Sequence, residues 1–285
     1  MEWEDYPDAD DGVEHTVVGK VLRLPSLHSP QLANRRELFV YLPPSYATSD
    51  RRYPVLYMHD GQNLFDRAIS FGEEWGVDRT MEEASRHGLE AIVVAIPNTG
   101  DHRLDEYSPF RDSRRKGGGR GDRYLDFMVE TVKPVVDGAF RTLPGRASTG
   151  IVGSSMGGLI SLYGYFRSAD VFGFAGVMSP ALWFGDRAIF DFVEAAPFAP
   201  GRIYLDVGTR EGSAALVDVA RMRDLLVRKG YRPGRDMVYV VDEGAAHHEH
   251  AWGERLGRAL EFLIGTRQRA RRARRTTSRP QRSAG

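Results

Sequence analysis

The chain has 285 residues, 41% of them hydrophobic, and its 39 basic side chains balance 39 acidic ones to a formal net charge of +0. That length and apolar share suffice for one full α/β domain with a sizeable core. The absence of cysteine excludes disulfides, thiolate zinc sites and a cysteine nucleophile, and no apolar run approaches the roughly 18 residues of a membrane span.

The acidic start, MEWEDYPDADDGVEH, has neither the basic nor the apolar region of a secretory signal, so residues 1–14 read as an acidic extension and a cytoplasmic protein is expected. From residue 15 onward, β-branched apolar runs alternate with longer amphipathic segments. This is the pattern of a mostly parallel sheet with helices on both faces. Eight strands are predicted: 15–24, 36–42, 54–59, 91–97, 149–153, 174–178, 202–207 and 237–242. The near-continuous run Ala91–Ile96 suits a strand buried on both faces. The first two strands, joined through Pro30 and Asn34, read as an antiparallel hairpin at one sheet edge. Helices are predicted over 73–87, 122–140, 156–167, 186–194, 213–229 and 250–267.

Two segments stand apart. The Arg/Gly stretch 111–123 reads as a flexible surface loop, with a lid over the site as its functional alternative, and it lacks the P-loop pattern. Residues 266–285 are arginine-rich without apolar periodicity. They read as a disordered, solvated tail beyond a domain of residues 15–265, with a nucleic-acid or anionic-membrane tether as the weaker alternative. No nucleic-acid partner is expected.

Chemistry concentrates at Gly153-Ser154-Ser155-Met156-Gly157, a G-x-S-x-G between a predicted strand and a predicted helix. In an α/β-hydrolase fold this sequence makes a sharp turn that presents the serine at the carboxyl end of the sheet. Serine needs a base, and the base an orienting acid, in chain order Ser, acid, His. Downstream lie only His247, His248 and His250, all just after the last predicted strand. His247 is preferred, because it follows the small Gly244-Ala245-Ala246 turn most directly. Glu211, in the loop beyond the strand 202–207, is the preferred acid, with Asp206 and Asp218 as competitors. A metal site at His247-His248-Glu249-His250 is disfavoured because H-E-x-x-H and H-x-x-E-H are absent. An oxyanion hole in this fold takes one N–H from the residue after the nucleophile, Met156, and one from the loop His59–Phe65.

Several ordered pieces resemble the putative-esterase family that includes esterase D, enterochelin esterases, feruloyl esterase domains and mycolyltransferases. They are Tyr57–Asp66, Glu106–Pro109, Gly153–Gly158, Gly208–Glu211 and Gly244–Trp252. The resemblance implies Gln62 as the second oxyanion donor, Glu211 as acid and His247 as base, with no cofactor. Ala245-Ala246 departs from it, since relatives often carry glycine there. Trp183 and Trp252, and less so Trp75, are candidates to line a substrate pocket. Arg103 and Glu106 are expected to pair with each other, and His59 and Asp60 to hold the oxyanion loop. The expected activity is hydrolysis of a small-molecule carboxylic ester through an acyl-enzyme. An acyltransferase on the same fold, or a non-catalytic binding protein on this scaffold, are the alternatives.

Overall fold

The structure is a computed structural model that describes residues 2–7 and 12–265. Among these residues, nine strands form one sheet in the order β1-β2-β3-β5-β4-β6-β7-β8-β9. They are β1 Glu4–Tyr6, β2 Lys20–Ser29, β3 Asn34–Leu42, β4 Val55–His59, β5 Ile92–Ile96, β6 Thr149–Ser154, β7 Phe174–Met178, β8 Arg202–Gly208 and β9 Met237–Asp242. The first three strands pair antiparallel and join the rest through β3 and β5. From β5 to β9 every pairing is parallel. The chain has the α/β-hydrolase fold.

Residue alternation builds a core on each face of the sheet. On β4, Val55 and Tyr57 join one cluster while Leu56 and Met58 join the other. On β5, Ile92, Val94 and Ile96 separate from Val93 and Ala95 in the same way. A strand with both sides buried therefore reads as an unbroken apolar run.

The expected eight strands become nine, because β1 pairs with β2 in the register Glu4↔Arg23, Asp5↔Leu22 and Tyr6↔Val21. Its acidic composition conceals it, yet Trp3 packs edge-on against Phe140 and Tyr6 against Phe39. The next strand starts later than the predicted residue 15. The backbone around Thr16–Val18 donates instead to Asp66 and Asp78, at 3.2 and 2.6 Å. It also runs past Leu24, where Pro25 is absorbed in a register shift between Leu24 and Leu27.

The predicted helix 122–140 forms in three pieces, Gly121–Asp126, π-helical Phe127–Val132 and Lys133–Ala139. Pro134 near the start of the third piece removes an i→i−4 donor, a cause of such irregularity. Of the stretch 111–123, Asp112–Gly117 forms a hydrogen-bonded turn, with Asp112 accepting from the N–H groups of Arg114, Arg115 and Gly185, and Gly121–Arg123 already belong to the helix. The arginine tail lies outside the described residues. Among those described, no helix is long and apolar enough to cross a membrane.

Candidate active site

Strand β6 ends at Ser154, and the helix Met156–Arg167 begins two residues later, so Ser155 alone makes the turn. It does so at φ 55°, ψ −120°, a conformation an L-residue rarely adopts. Neighbouring backbone holds it there. Ser155 N–H donates to the Met178 carbonyl at 3.0 Å, and its own carbonyl accepts from Ala181 N–H at 2.9 Å. The flanking glycines make the turn possible. A Cβ on Gly153 would lie 2.8 Å from the Gly157 backbone and from the His59 ring, and one on Gly157 would lie 3.2 Å from His59 Cβ.

Loops after two further strands meet this serine. His247 Nε2 is 2.9 Å from Ser155 Oγ, and His247 Nδ1 is 2.8 Å from Glu211 Oε2. Glu211 Oε1 accepts from Gly208 N–H at 2.7 Å and from the Ser179 hydroxyl at 2.6 Å. Burial alone would push the Glu211 carboxyl up, but these bonds from His247, Ser179 and Gly208 outweigh it and hold it below the usual carboxylate range. The result is a continuous hydroxyl–imidazole–carboxylate line with its acid end buried and its imidazole open to solvent.

Met156 is the first residue of its helix, and the first N–H groups of a helix have no intrahelical acceptor. Gln62 sits in the short 3-10 turn Gly61–Asn63 that follows β4. That turn is pinned from several sides. Asp60, at φ 53°, donates its N–H to Tyr107 Oη at 2.9 Å. Its carboxylate binds Arg103 through two bonds of 2.7 and 2.8 Å and Asn98 through one of 2.7 Å. Gln62 Oε1 accepts from Asn98 N–H at 3.1 Å. Gly61 is packed so tightly on β5 that a Cβ would lie 2.6 Å from the Ala95 and Ile96 backbone. His59, completely buried, has its pKa lowered to about 3 by burial, and its Nδ1 lies 2.8 Å from Tyr124 Oη.

Ser155 and His247 open onto a cleft of about 720 Å³ that Gln62, Phe71, Trp75, Asn98, Arg103 and Trp252 help to line.

Residues 29–263 match the protein family described as "Putative esterase". The chain belongs to this esterase family. It is accordingly an ester-hydrolysing enzyme. It is similar to the uncharacterized protein YbbA of Bacillus subtilis, at 27% identity over 251 residues, covering 83% of this chain and 96% of that one. It is also similar to a siderophore enterobactin esterase of Emericella nidulans, at 29% identity over 162 residues, and spans only 52% of that protein's length and 52% of its own. Among solved structures, the BES protein from Bacillus cereus superposes with a TM-score of 0.69 at 18% identity, covering 88% of this chain and 97% of that one.

Within this esterase, the competitors for base and acid go elsewhere. His248 caps the helix Glu249–Leu260 and approaches Glu73 at 3.3 Å, while His250 faces Glu254 at 3.4 Å. The two rings stack with centroids 6.3 Å apart, while Glu249 accepts from Asn63 Nδ2 at 3.2 Å and His247 alone of the run faces Ser155. Asp206 lies beneath Ser179 and Arg255, and Asp218 pairs with Arg187. Arg103 and Glu106 do not pair with each other. Arg103 holds Asp60, and Glu106 holds the buried Arg36 through bonds of 2.9 and 3.1 Å. Trp252 lines the cleft, whereas Trp183 is not among its lining residues and is 41% exposed beneath the Arg115 guanidinium. Ser179 and Arg255 carry no motif in the sequence. Their place beneath Glu211 comes from contacts across more than 30 residues of chain.

Proposed function

We propose that this esterase is a serine carboxylic-ester hydrolase in which Ser155, His247 and Glu211 act as nucleophile, base and orienting acid. The observation that carries the reading is the unbroken line of 2.9 and 2.8 Å contacts from Ser155 Oγ through His247 to Glu211 at the mouth of the cleft. His247 Nε2 takes the hydroxyl proton as Ser155 Oγ adds to the ester carbonyl. The negative charge that forms on the carbonyl oxygen is received by the N–H groups of Met156 and Gln62. Glu211 fixes the tautomer that leaves Nε2 free to accept, and stabilises the imidazolium. That imidazolium returns the proton to the leaving alkoxide, releasing an alcohol and an acyl-Ser155. Water, deprotonated by His247, then repeats the addition and frees the carboxylic acid.

Loop anchoring supports the Gln62 role. An oxyanion donor works only if it is already aimed, and the bonds on Asp60 and Asn98 hold that turn before substrate arrives. The aromatic rings of Phe71, Trp75 and Trp252 along the cleft suit an aryl acyl or alcohol group. Short-chain aryl esters, and siderophore esters like the one named for the Emericella relative, are the substrates to assay first. Ser155→Ala is expected to lower turnover by at least ~10³-fold and to abolish labelling by a fluorophosphonate. Turnover at the wild-type rate in that variant refutes the assignment.

A further inference from the structure

The carboxylate end of the relay rests on a hydroxyl whose direction is fixed by its neighbours. Ser179 Oγ lies 2.6 Å from Glu211 Oε1, 3.0 Å from Trp252 Nε1 and 2.8 Å from Arg255 Nη2. A serine hydroxyl has one hydrogen to give and two lone pairs to fill. The indole N–H and the guanidinium can only donate, so they occupy the lone pairs. The single hydrogen is left for Glu211.

We infer that Ser179 is a positioning residue of the ester-hydrolysing site, a hydroxyl locked by Trp252 and Arg255 as a one-way donor to Glu211. The inference rests on reading Ser155, His247 and Glu211 as the reacting line. Ser179 and Gly208 together engage Oε1, which leaves Oε2 to face His247 Nδ1. Trp252 also stands edge-on to His247 with ring centroids 5.0 Å apart, so one indole braces the imidazole and the hydroxyl behind its acid.

The backbone supports a chemical rather than a conformational reason for serine. Ser179 sits at φ 41°, where glycine is the less strained residue. Its N–H donates to Asp206 Oδ1 at 2.9 Å, a bond any residue except proline makes. What serine adds there is the hydroxyl. The charged groups around this point are His247 from the loop after β9, Arg255 from the last helix and Asp206 from β8. Asp242, at the end of β9, faces the far side of Arg255 at 3.6 Å.

Removing the donor leaves Glu211 a stronger base towards His247, which then keeps its proton to higher pH. The test compares Ser179→Ala and Ser179→Gly with wild type on an aryl ester. Thermal melts accompany the assay, and the glycine variant relieves the strained φ. Both variants are expected to lose about 10- to 100-fold in kcat, with KM within about threefold, and to move the acid limb of kcat/KM upward. Trp252→Phe should slow the wild-type enzyme by a larger factor than it slows the Ser179→Ala variant, because only the former loses the bond to the hydroxyl. Full kcat and an unmoved acid limb in both Ser179 variants would overturn the inference while Ser155→Ala, if inactive, keeps the triad reading intact. A loss in the alanine variant alone would also overturn it, because the active glycine variant would show the hydroxyl to be dispensable. If Ser155→Ala itself keeps full turnover, the triad reading and this inference fall together.

Discussion

His247 shares its run of sequence with two other imidazoles and differs from them in reach. It alone of the three stands between a hydroxyl and a buried carboxylate, while His248 caps a helix and His250 faces Glu254. Replacing His247 with alanine should therefore cost at least ~10³-fold in kcat. His248→Ala and His250→Ala should each stay within about twofold, measured on one aryl ester. Comparable losses at His248 would move the base to that position. Glu211→Gln should cost on the order of 10³–10⁴, since an amide no longer dictates the imidazole tautomer. That Ser155, Glu211 and His247 would meet was readable from sequence, because the fold fixes their chain order and places each just past a strand end. Ser179 and Arg255 were not, because their contacts to Glu211 and Asp206 join elements that nothing in local sequence relates. The Arg103–Glu106 expectation failed for a related reason. Proximity in sequence suggested a pair, but the short helix Arg103–Glu106 sends Arg103 to Asp60 and Glu106 to Arg36.

The turn from β6 into its helix is the element on which the reading depends, and its tolerance for side chains is asymmetric. A Cβ at Gly153 meets fixed backbone and a buried ring at 2.8 Å, whereas one at Gly157 meets a single side-chain carbon at 3.2 Å. Gly153→Ala is thus expected to destabilise by about 1–3 kcal/mol, as overpacking does, and to lose activity well beyond that by displacing Ser155. Gly157→Ala should do less on both counts. Melting curves and kcat for the pair check the order, and the reverse order would mean that the turn relaxes at Gly153. Glycine spacing makes this element legible in the sequence. The sheet edge was less so. β1 is short and acidic, and its anchoring runs through Tyr6 Oη to the buried Asp66 at 2.6 Å, a contact between residues 60 apart. Pro25 obscured the true length of β2, since a proline inside an apolar alternation marks a break unless a bulge takes it up.

At the scale of the whole molecule, buried carboxylates divide into two sets that pull stability in opposite directions with pH. Burial pushes Asp60 up, but Arg103 and Asn98 outweigh it. Burial likewise raises Asp66, but its bonds from Tyr6 and His15 outweigh it, and both acids end below the ordinary range with Glu211. Their stabilising contribution is present above the unfolded carboxylate pKa of about 4 and is lost as pH falls through their lower folded values. Asp78 and Asp206 behave oppositely. Burial raises each to about 6, ahead of the opposing backbone donors Val18 and Arg79 for the first, and of Arg255 and Ser179 for the second. Their contribution is complete below about pH 4 and is lost as pH rises through about 6. These carboxylates alone should make the melting temperature climb up to about pH 4 and then decline between about pH 4 and 6, a decline that His59, with its pKa lowered to about 3 by burial, partly offsets. The profile is measured by thermal melts across that range. Asp78→Asn and Asp206→Asn should each flatten the decline, and an unchanged pH profile in both variants would show that burial does not raise these two carboxyls as argued.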